Sequence, residues 1–341
     1  MTQIAVFLNP HATKNREISS DHVRTLESVV GNHGRIWQTH TLAELRVAVQ
    51  EAFDADARYY IADGGDGSFN CVLHEVRIAL ESWGCDSDDV PPLSPTRSGA
   101  IDFLARKVGI SSDTKTILRR LEAIVAAGRE PPLVKLESLR ISGTQVTAGG
   151  ELRPFERLGF ALAAGGIGQR FFSKYSRERP GPDAIIKVVS KAVGSRLGNG
   201  LRLPIPDTMA DYGDDIFRPT RARVTIDGDV LPEQEHGAIH AGSCEISLGG
   251  VFTVFPLARD PGVLHFQAGR MLPREMVLAL PRLVRGDSVG GRSLVERAGR
   301  EMAVEAIGDE LLAPVIDGEQ LDRVKTLHVA HGPAIPILCV G

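Results

Sequence analysis

The run Asp63-Gly64-Gly65-Asp66-Gly67-Ser68 closes an apolar stretch, Tyr59 to Ala62, and a helix-like stretch follows it. Glycine lets backbone N–H groups approach an anion with no Cβ in the way. A helix start behind it adds donors and a favourable dipole. That combination suits a phosphate. Asp66 sits poorly beside phosphate unless a Mg²⁺ ion or an attacking hydroxyl offsets its charge, so the chemistry indicated is phosphoryl transfer rather than plain nucleotide binding. The bland alternative is a glycine-rich turn with no chemistry. Neither GxxxxGK[ST] around this turn nor GxGxxG at the first turn is present. The first apolar run ends in Asn9-Pro10, which belongs on the same rim of a parallel sheet, with Thr13 and Lys14 as further phosphate donors.

The elements that must hold these residues alternate. Strand-like runs at "QIAVFLNP", "RIWQTH", "RYYIAD" and "VPPLSP" are interleaved with helical spacing in "SDHVRTLESVVGNHG", "LAELRVAVQEAF", "SFNCVLHEVRIALESW", "AIDFLARKVGI" and "SDTKTILRRLEAIVAAG". Such alternation predicts an α/β domain with a parallel sheet over residues 1–130, and ligands bind at the carboxyl ends of its strands. From 131 the segments become short, β-branched and glycine-punctuated, which predicts a β-rich second domain over 131–341. Helical interruptions are expected at "GPDAIIKVVSKAVGS" and "REMVLALPRLVRGDSV". The closing strands, "TLHVAHGPAIPILCVG", are free to return toward the first domain.

Charged residues make up 24% and the net charge is −4, which argues against nucleic-acid binding through a basic field. The four cysteines show no metal-ligand spacing, and no apolar run nears the roughly 18 residues needed to span a bilayer. A cytoplasmic protein with reduced thiols is the expectation, with peripheral membrane contact left open. His236 and His240 have i,i+4 spacing without HExxH and read as surface or turn histidines. His74 reads as a helix-surface residue. No GxSxG elbow supports acyl transfer. The basic run "SKYSRERPGP" (173–182) reads as a solvated loop, and its Lys174, Arg177 and Arg179 are candidates for contact with anionic headgroups.

Taken together, the motifs resemble the diacylglycerol kinase / sphingosine kinase superfamily of lipid kinases, especially bacterial members. The likeness runs through Asn9-Pro10-His11-Ala12-Thr13, "GGDGSFNC", "SGAIDFLARKVGI", "AAGGIGQR", "GGVFTVFPLARDPGVLH" and Asp317-Gly318-Glu319, in order along nearly the whole chain. It implies a nucleotide domain like those of NAD kinase and phosphofructokinase, then a β-sandwich, with ATP in the cleft between them. It implies transfer of the γ-phosphoryl of ATP, with Mg²⁺, to a lipid hydroxyl such as that of diacylglycerol or a sphingoid base. Asn9, Pro10, Thr13, Lys14, Gly64, Gly65, Asp66, Gly67, Ser68, Asn70 and Gly99 become the nucleotide contacts, and Asp66 and Asp260 the metal residues. Glu319 becomes the base and Asp66 the nucleotide and metal residue, with the two roles exchangeable. Monomer and homodimer both stay open.

Some motif positions differ. Cys71 stands for Glu, Ala100 for Thr, Asp102 for Asn, Ala163 for Asn and Arg170 for Asp. Asp260-Pro261-Gly262 replaces DDG, and His265 replaces the acid that follows. A catalytically impaired relative that binds nucleotide or lipid is therefore the alternative, with an NAD kinase-like phosphotransferase behind it. The latter ranks lower because no TGSTAY-like segment occurs.

Overall fold

The chain divides into two units, Met1–Leu136 with Pro333–Gly341, and Glu137–Gly332. The structure, a computed structural model, describes residues 2–16, 20–178, 181–200 and 206–340.

The first unit has the alternation expected of it: β1 (Ile4–Leu8), α1 (Ser20–Val30), β2 (Gly34–Gln38), α2 (Leu42–Asp54), β3 (Tyr59–Asp63), α3 (Asp66–Ser82), β4 (Leu93–Pro95), α4 (Phe103–Lys107) and α5 (Thr114–Ala126). The strands lie in the order β2-β1-β3-β4, all parallel, and the C-terminal stretch adds Ile337 opposite Leu93. β1 and β3 are buried at every residue, as strands covered on both faces must be. Ile4, Val6, Leu8 and Ile61 pack with Leu26 of α1 and Ile117 and Leu121 of α5. Phe7, on the other face, stacks with Trp37 and Tyr60 at centroid distances of 5.7 and 6.0 Å.

Leu8 is level with Asp63, so the chain leaves β1 and β3 side by side. The order runs from β1 to β2 one way and to β3 the other, which makes this pair of exits the topological switch point, where open α/β sheets bind ligands. α4 is shorter than the helix predicted over 100–110. Asp102 has the left-handed φ of +54°, so the helix starts only after it, and Gly109 at φ +76° follows its end.

The second unit contains β5 (Leu133–Val146, which begins in the first unit), β6 (Leu152–Gly159), β7 (Ala161–Gly166), α6 (Ile167–Tyr175), α7 (Pro182–Gly200), α8 (Asp207–Ile216), β8 (Thr220–Ile226), β9 (Asp229–Val230), β10 (Glu235–His236), β11 (Ala238–Gly242), β12 (Ile246–Leu248), β13 (Phe252–Val254), β14 (Leu264–Arg270), α9 (Pro273–Arg285), β15 (Ser293–Gly299), β16 (Glu301–Ala306), β17 (Val315–Ile316), β18 (Glu319–Gln320) and β19 (Val324–Leu338, which ends in the first unit). One sheet places β16 between β8 and β19, with β5 and β6 beyond β19. The other runs β15-β14-β11-β7-β17-β18. β8 and β16 alternate buried and exposed residues, the pattern of a sheet with one solvated face. The two buried faces meet in one core, Val224, Met302, Val304 and Leu327 against Leu162, Ile239, Leu264 and Phe266. This is the β-rich sandwich expected after the α/β region.

The outer face of the six-stranded sheet is covered. Ala238 and Leu294 pack beneath Met276 and Ala279 of α9, with Ile167 of α6 alongside. This corrects the reading of His236 and His240 as surface residues. His236 is fully buried with Nε2 3.0 Å from the Ala222 carbonyl, and His240 Nδ1 lies 2.8 Å from Gln267 Oε1. The run 173–182 is also not a simple solvated loop. Its first residues end α6, Lys174 is paired with Asp215 and lies over the Tyr212 ring, and Glu178 holds Lys187 and Lys191. Arg179 lies outside the described residues.

Candidate functional site

β1, β3 and β4 each end in a short loop on the same rim, and polar side chains join the loops. Asn9 forms an Asx turn, its Oδ1 accepting from the His11 N–H at 2.9 Å, while its Nδ2 donates to Ser68 Oγ at 2.8 Å. Asn15, two residues beyond Thr13, donates to the carbonyls of Asn9 and Asp63, both at 3.1 Å. The Lys14 N–H donates to the Ser98 carbonyl at 3.0 Å. Asn9, Pro10, Thr13, Lys14, Gly64 to Ser68 and Gly99 are thereby gathered around one rim. Asn70 lies one turn further along α3 and is buried.

α3 begins at Asp66 with Gly65 as its N-cap. The first-turn amides of a helix have no partner within it, so Gly67 and Ser68 present donors beside the switch point. Packing explains three glycines of this rim. A Cβ on Gly99 would sit 2.4 Å from Gly65 Cα, and one on Gly65 3.0 Å from Gly99 Cα, so the β3 and β4 loops touch backbone to backbone. A Cβ on Gly64 would sit 2.2 Å from Ser68 Oγ.

The charge on Asp66 is already met in part. Its two oxygens accept from the N–H groups of Leu104 at 3.0 Å and Phe103 at 3.1 Å, at the start of α4. The Asp102 carboxylate accepts from the Gly99 N–H at 2.8 Å and pairs with Lys14 Nζ at 3.0 Å. Lys14 Nζ also donates to the Arg97 carbonyl. The extra acid at 102 therefore has its own cation.

Beneath the rim lies a residue that sequence reasoning missed. Asp63 is fully buried, and its Oδ1 accepts from Ser98 Oγ at 2.7 Å, Thr114 Oγ1 at 2.8 Å and Thr96 Oγ1 at 2.9 Å. Its Oδ2 is buried with no hydrogen-bond partner among the described residues. The available signal was a carboxylate ending an otherwise apolar strand.

The donors this rim offers, the helix-start amides of Gly67 and Ser68 and the Ser68 hydroxyl, are of the type that binds polyphosphate. A Mg²⁺ ion bound through a nucleotide needs only one or two protein carboxylates, and Asp66 is the rim carboxylate that would hold one. Among the described residues no group of three or more His, Cys, Asp or Glu side chains is placed to hold a metal ion.

The remaining candidates lie in the second unit. Asp260 is exposed in the loop where the Gly262 N–H donates to both Glu137 oxygens, at 2.8 and 2.7 Å. Glu319 is exposed and opens β18 after the two-residue turn Asp317-Gly318, whose φ values are +48° and +93°. Asp317 is buried, and its oxygens accept from the Phe160 and Ala161 N–H groups at 2.8 to 3.1 Å. Arg170 is buried too, donating to the Arg218 carbonyl at 2.8 Å near Asp215 and Glu310. Burial holds its pKa below the usual arginine value. No described helix is long and apolar enough to cross a membrane.

No protein-family model matches the sequence. No curated protein matches it either. Solved structures do. A diacylglycerol kinase from Bacillus anthracis str. Sterne matches with a TM-score of 0.59 at 12% identity, over 98% of this chain and 96% of that one. Two further structures from the same organism, named for the same activity, match with a TM-score of 0.61 at 12% identity and the same coverage. The likeness extends over both units and shows that the fold is shared.

Proposed function

We propose that the chain is an ATP-dependent lipid kinase of the diacylglycerol kinase type, transferring the γ-phosphoryl group to a lipid hydroxyl. The observation that carries this reading is the Gly64–Ser68 turn, which opens α3 at the switch point with Asp66 as its first helical residue. The shared fold supports it. When bound, Mg·ATP supplies the phosphoryl group and the cation.

The chain's own residues do the rest. The amides of Gly67 and Ser68 receive phosphate oxygens, and Asn9 fixes the Ser68 hydroxyl that stands beside them. The Phe103 and Leu104 N–H groups hold the Asp66 carboxylate at one orientation, and in this reading it meets a metal or an acceptor hydroxyl. Glu319 is the proton acceptor in this reading.

The test is transfer of labelled phosphate from Mg·ATP to diacylglycerol, sphingosine, monoacylglycerol and phosphatidylglycerol in mixed micelles, beside Asp66→Asn. The expected result is one labelled lipid class, reduced about a hundredfold or more in the variant. A second reading, a nucleotide-binding relative without transfer, is favoured by one observation: both Asp66 oxygens already accept from backbone amides. Nucleotide binding with no labelled lipid from any acceptor would decide for it.

A further inference from the structure

α9 has two faces of different character. Met276 and Ala279 point into the unit, while Arg274, Leu278, Pro281, Arg282, Val284 and Arg285 are exposed. Leu278 is 75% exposed, the most exposed large apolar side chain among the described residues, and Val284 is 57% exposed. At the 3.6-residue period, Arg274, Leu278, Pro281 and Arg285 form one stripe opposite the buried pair. Arginines therefore flank an apolar centre.

Within α9 the charge is one-sided. Glu275 is the helix's one acid, and its carboxylate is turned back onto the Leu272 N–H at 2.9 Å. Arg285 pairs with Asp287 at 2.8 Å, and Arg282 donates to the Val289 carbonyl. Arg274 has no acidic partner among the described residues, and exposed Arg292 follows in the next loop. The whole chain carries −4, so a basic apolar face is a local feature and not a reflection of overall charge. It differs from the run 173–182, whose one lysine, Lys174, pairs with Asp215 and whose Glu178 holds Lys187 and Lys191 of α7.

We infer that the outer face of α9 is a docking surface for an anionic lipid bilayer. Leu278 and Val284 enter the headgroup boundary, and Arg274, Arg282 and Arg285 lie among the phosphates. Arginine suits this position because its planar fork binds phosphate in a bidentate manner. The inference rests on the lipid-kinase reading only for its purpose, which is access to an acceptor dissolved in a membrane. Binding itself needs no nucleotide.

The experiment is co-sedimentation of the full chain, without nucleotide, with vesicles of phosphatidylcholine alone and of phosphatidylcholine with phosphatidylglycerol. Native chain, Leu278→Asp and the pair Arg274→Glu/Arg285→Glu are compared, with circular dichroism as the check on folding. Binding is expected on the anionic vesicles, weakened by salt, and reduced at least about tenfold in each variant. Phosphate transfer to a short-chain acceptor in solution is expected to be unchanged in both. Absence of sedimentation on anionic vesicles, or equal sedimentation of native chain and variants, overturns the inference. If every acceptor fails but vesicles are bound through α9, the kinase reading falls and the docking surface stands.

Discussion

Lys14 and Asp102 form an ion pair at 3.0 Å in which the carboxylate is buried and the ammonium half-exposed. The pair ties the turn after β1 to the residue that precedes α4. It also answers the electrostatic problem posed by an acid at 102 beside the rim proposed to hold phosphate. Removing the cation leaves a buried carboxylate held by the Gly99 N–H alone among the contacts described for it. Lys14→Met is therefore expected to cost about 1–3 kcal/mol in urea unfolding. Asp102→Asn, which loses the charge but keeps an acceptor, is expected to cost less than half of that. The same Asp102→Asn change frees Lys14 and is expected to tighten nucleotide binding by calorimetry. A larger loss for Asp102→Asn than for Lys14→Met would contradict the assignment.

Gly65 and Gly99 make a sterically testable contact. A methyl group on Gly99 would stand 2.4 Å from Gly65 Cα, against backbone that has no rotamer to yield. Gly99→Ala is expected to destabilise the fold by about 1–3 kcal/mol and to weaken nucleotide binding by parting the two loops. Gly65→Ala, with 3.0 Å in place of 2.4 Å, is expected to be the milder of the two. Denaturant midpoints and nucleotide titrations of the two variants give the ranking directly.

His265 gives the second unit a pH dependence. It is buried on β14 with its Nδ1 accepting from the Leu257 N–H at 3.3 Å, so the proton sits on Nε2, 3.4 Å from Glu296 Oε1. Burial, then the neighbouring His240, lowers its pKa to about 4, and burial also lowers those of His240 and His236. The unfolded imidazole titrates near about 6.5. Below that pH the unfolded chain takes up protons that the folded chain refuses. Stability is thus full above about 6.5 and declines toward about 4, by about 3 kcal/mol for His265. Burial raises Glu296, which acts with the opposite sign and stabilises below the unfolded carboxylate pKa. Urea unfolding across this range should show the decline, and His265→Gln should flatten it.

The sequence carried the rim but not its support. Gly64 to Ser68 stood out because three glycines follow an apolar strand, and that pattern is local. Asp63 did not, because the hydroxyls that bind it come from Thr96, Ser98 and Thr114, more than thirty residues away. α6 was hidden by Gly166 and Gly168. The first lies against the Gly237 carbonyl at φ +70°, and the second leaves room for His240, packing needs that sequence reads as strand-end glycine. His236 and His240 read as surface or turn residues because their segment looked like strand or loop without HExxH, yet strand pairing buries His236 and half-buries His240. The turns Asp227-Gly228 and Asp317-Gly318 share one geometry, with Asp at φ +51° and +48°, so that motif alone does not mark chemistry.

Asp317 and Glu319 stand in opposite surroundings within one hairpin, one buried and one exposed. Asp317 is buried under the Phe160 and Ala161 amides, and its removal takes away the carboxylate that accepts from both. Asp317→Ala is expected to cost about 3 kcal/mol or more, with some of the loss recovered in Asp317→Asn, which tolerates the positive φ. Glu319 is exposed at the start of β18, so Glu319→Gln is expected to leave stability within about 0.5 kcal/mol of the native chain. If Glu319 is the proton acceptor, the same variant loses phosphate transfer about a hundredfold while nucleotide binding is unchanged. Full transfer activity in Glu319→Gln, measured beside Asp66→Asn on the same acceptor, would return the base role to Asp66.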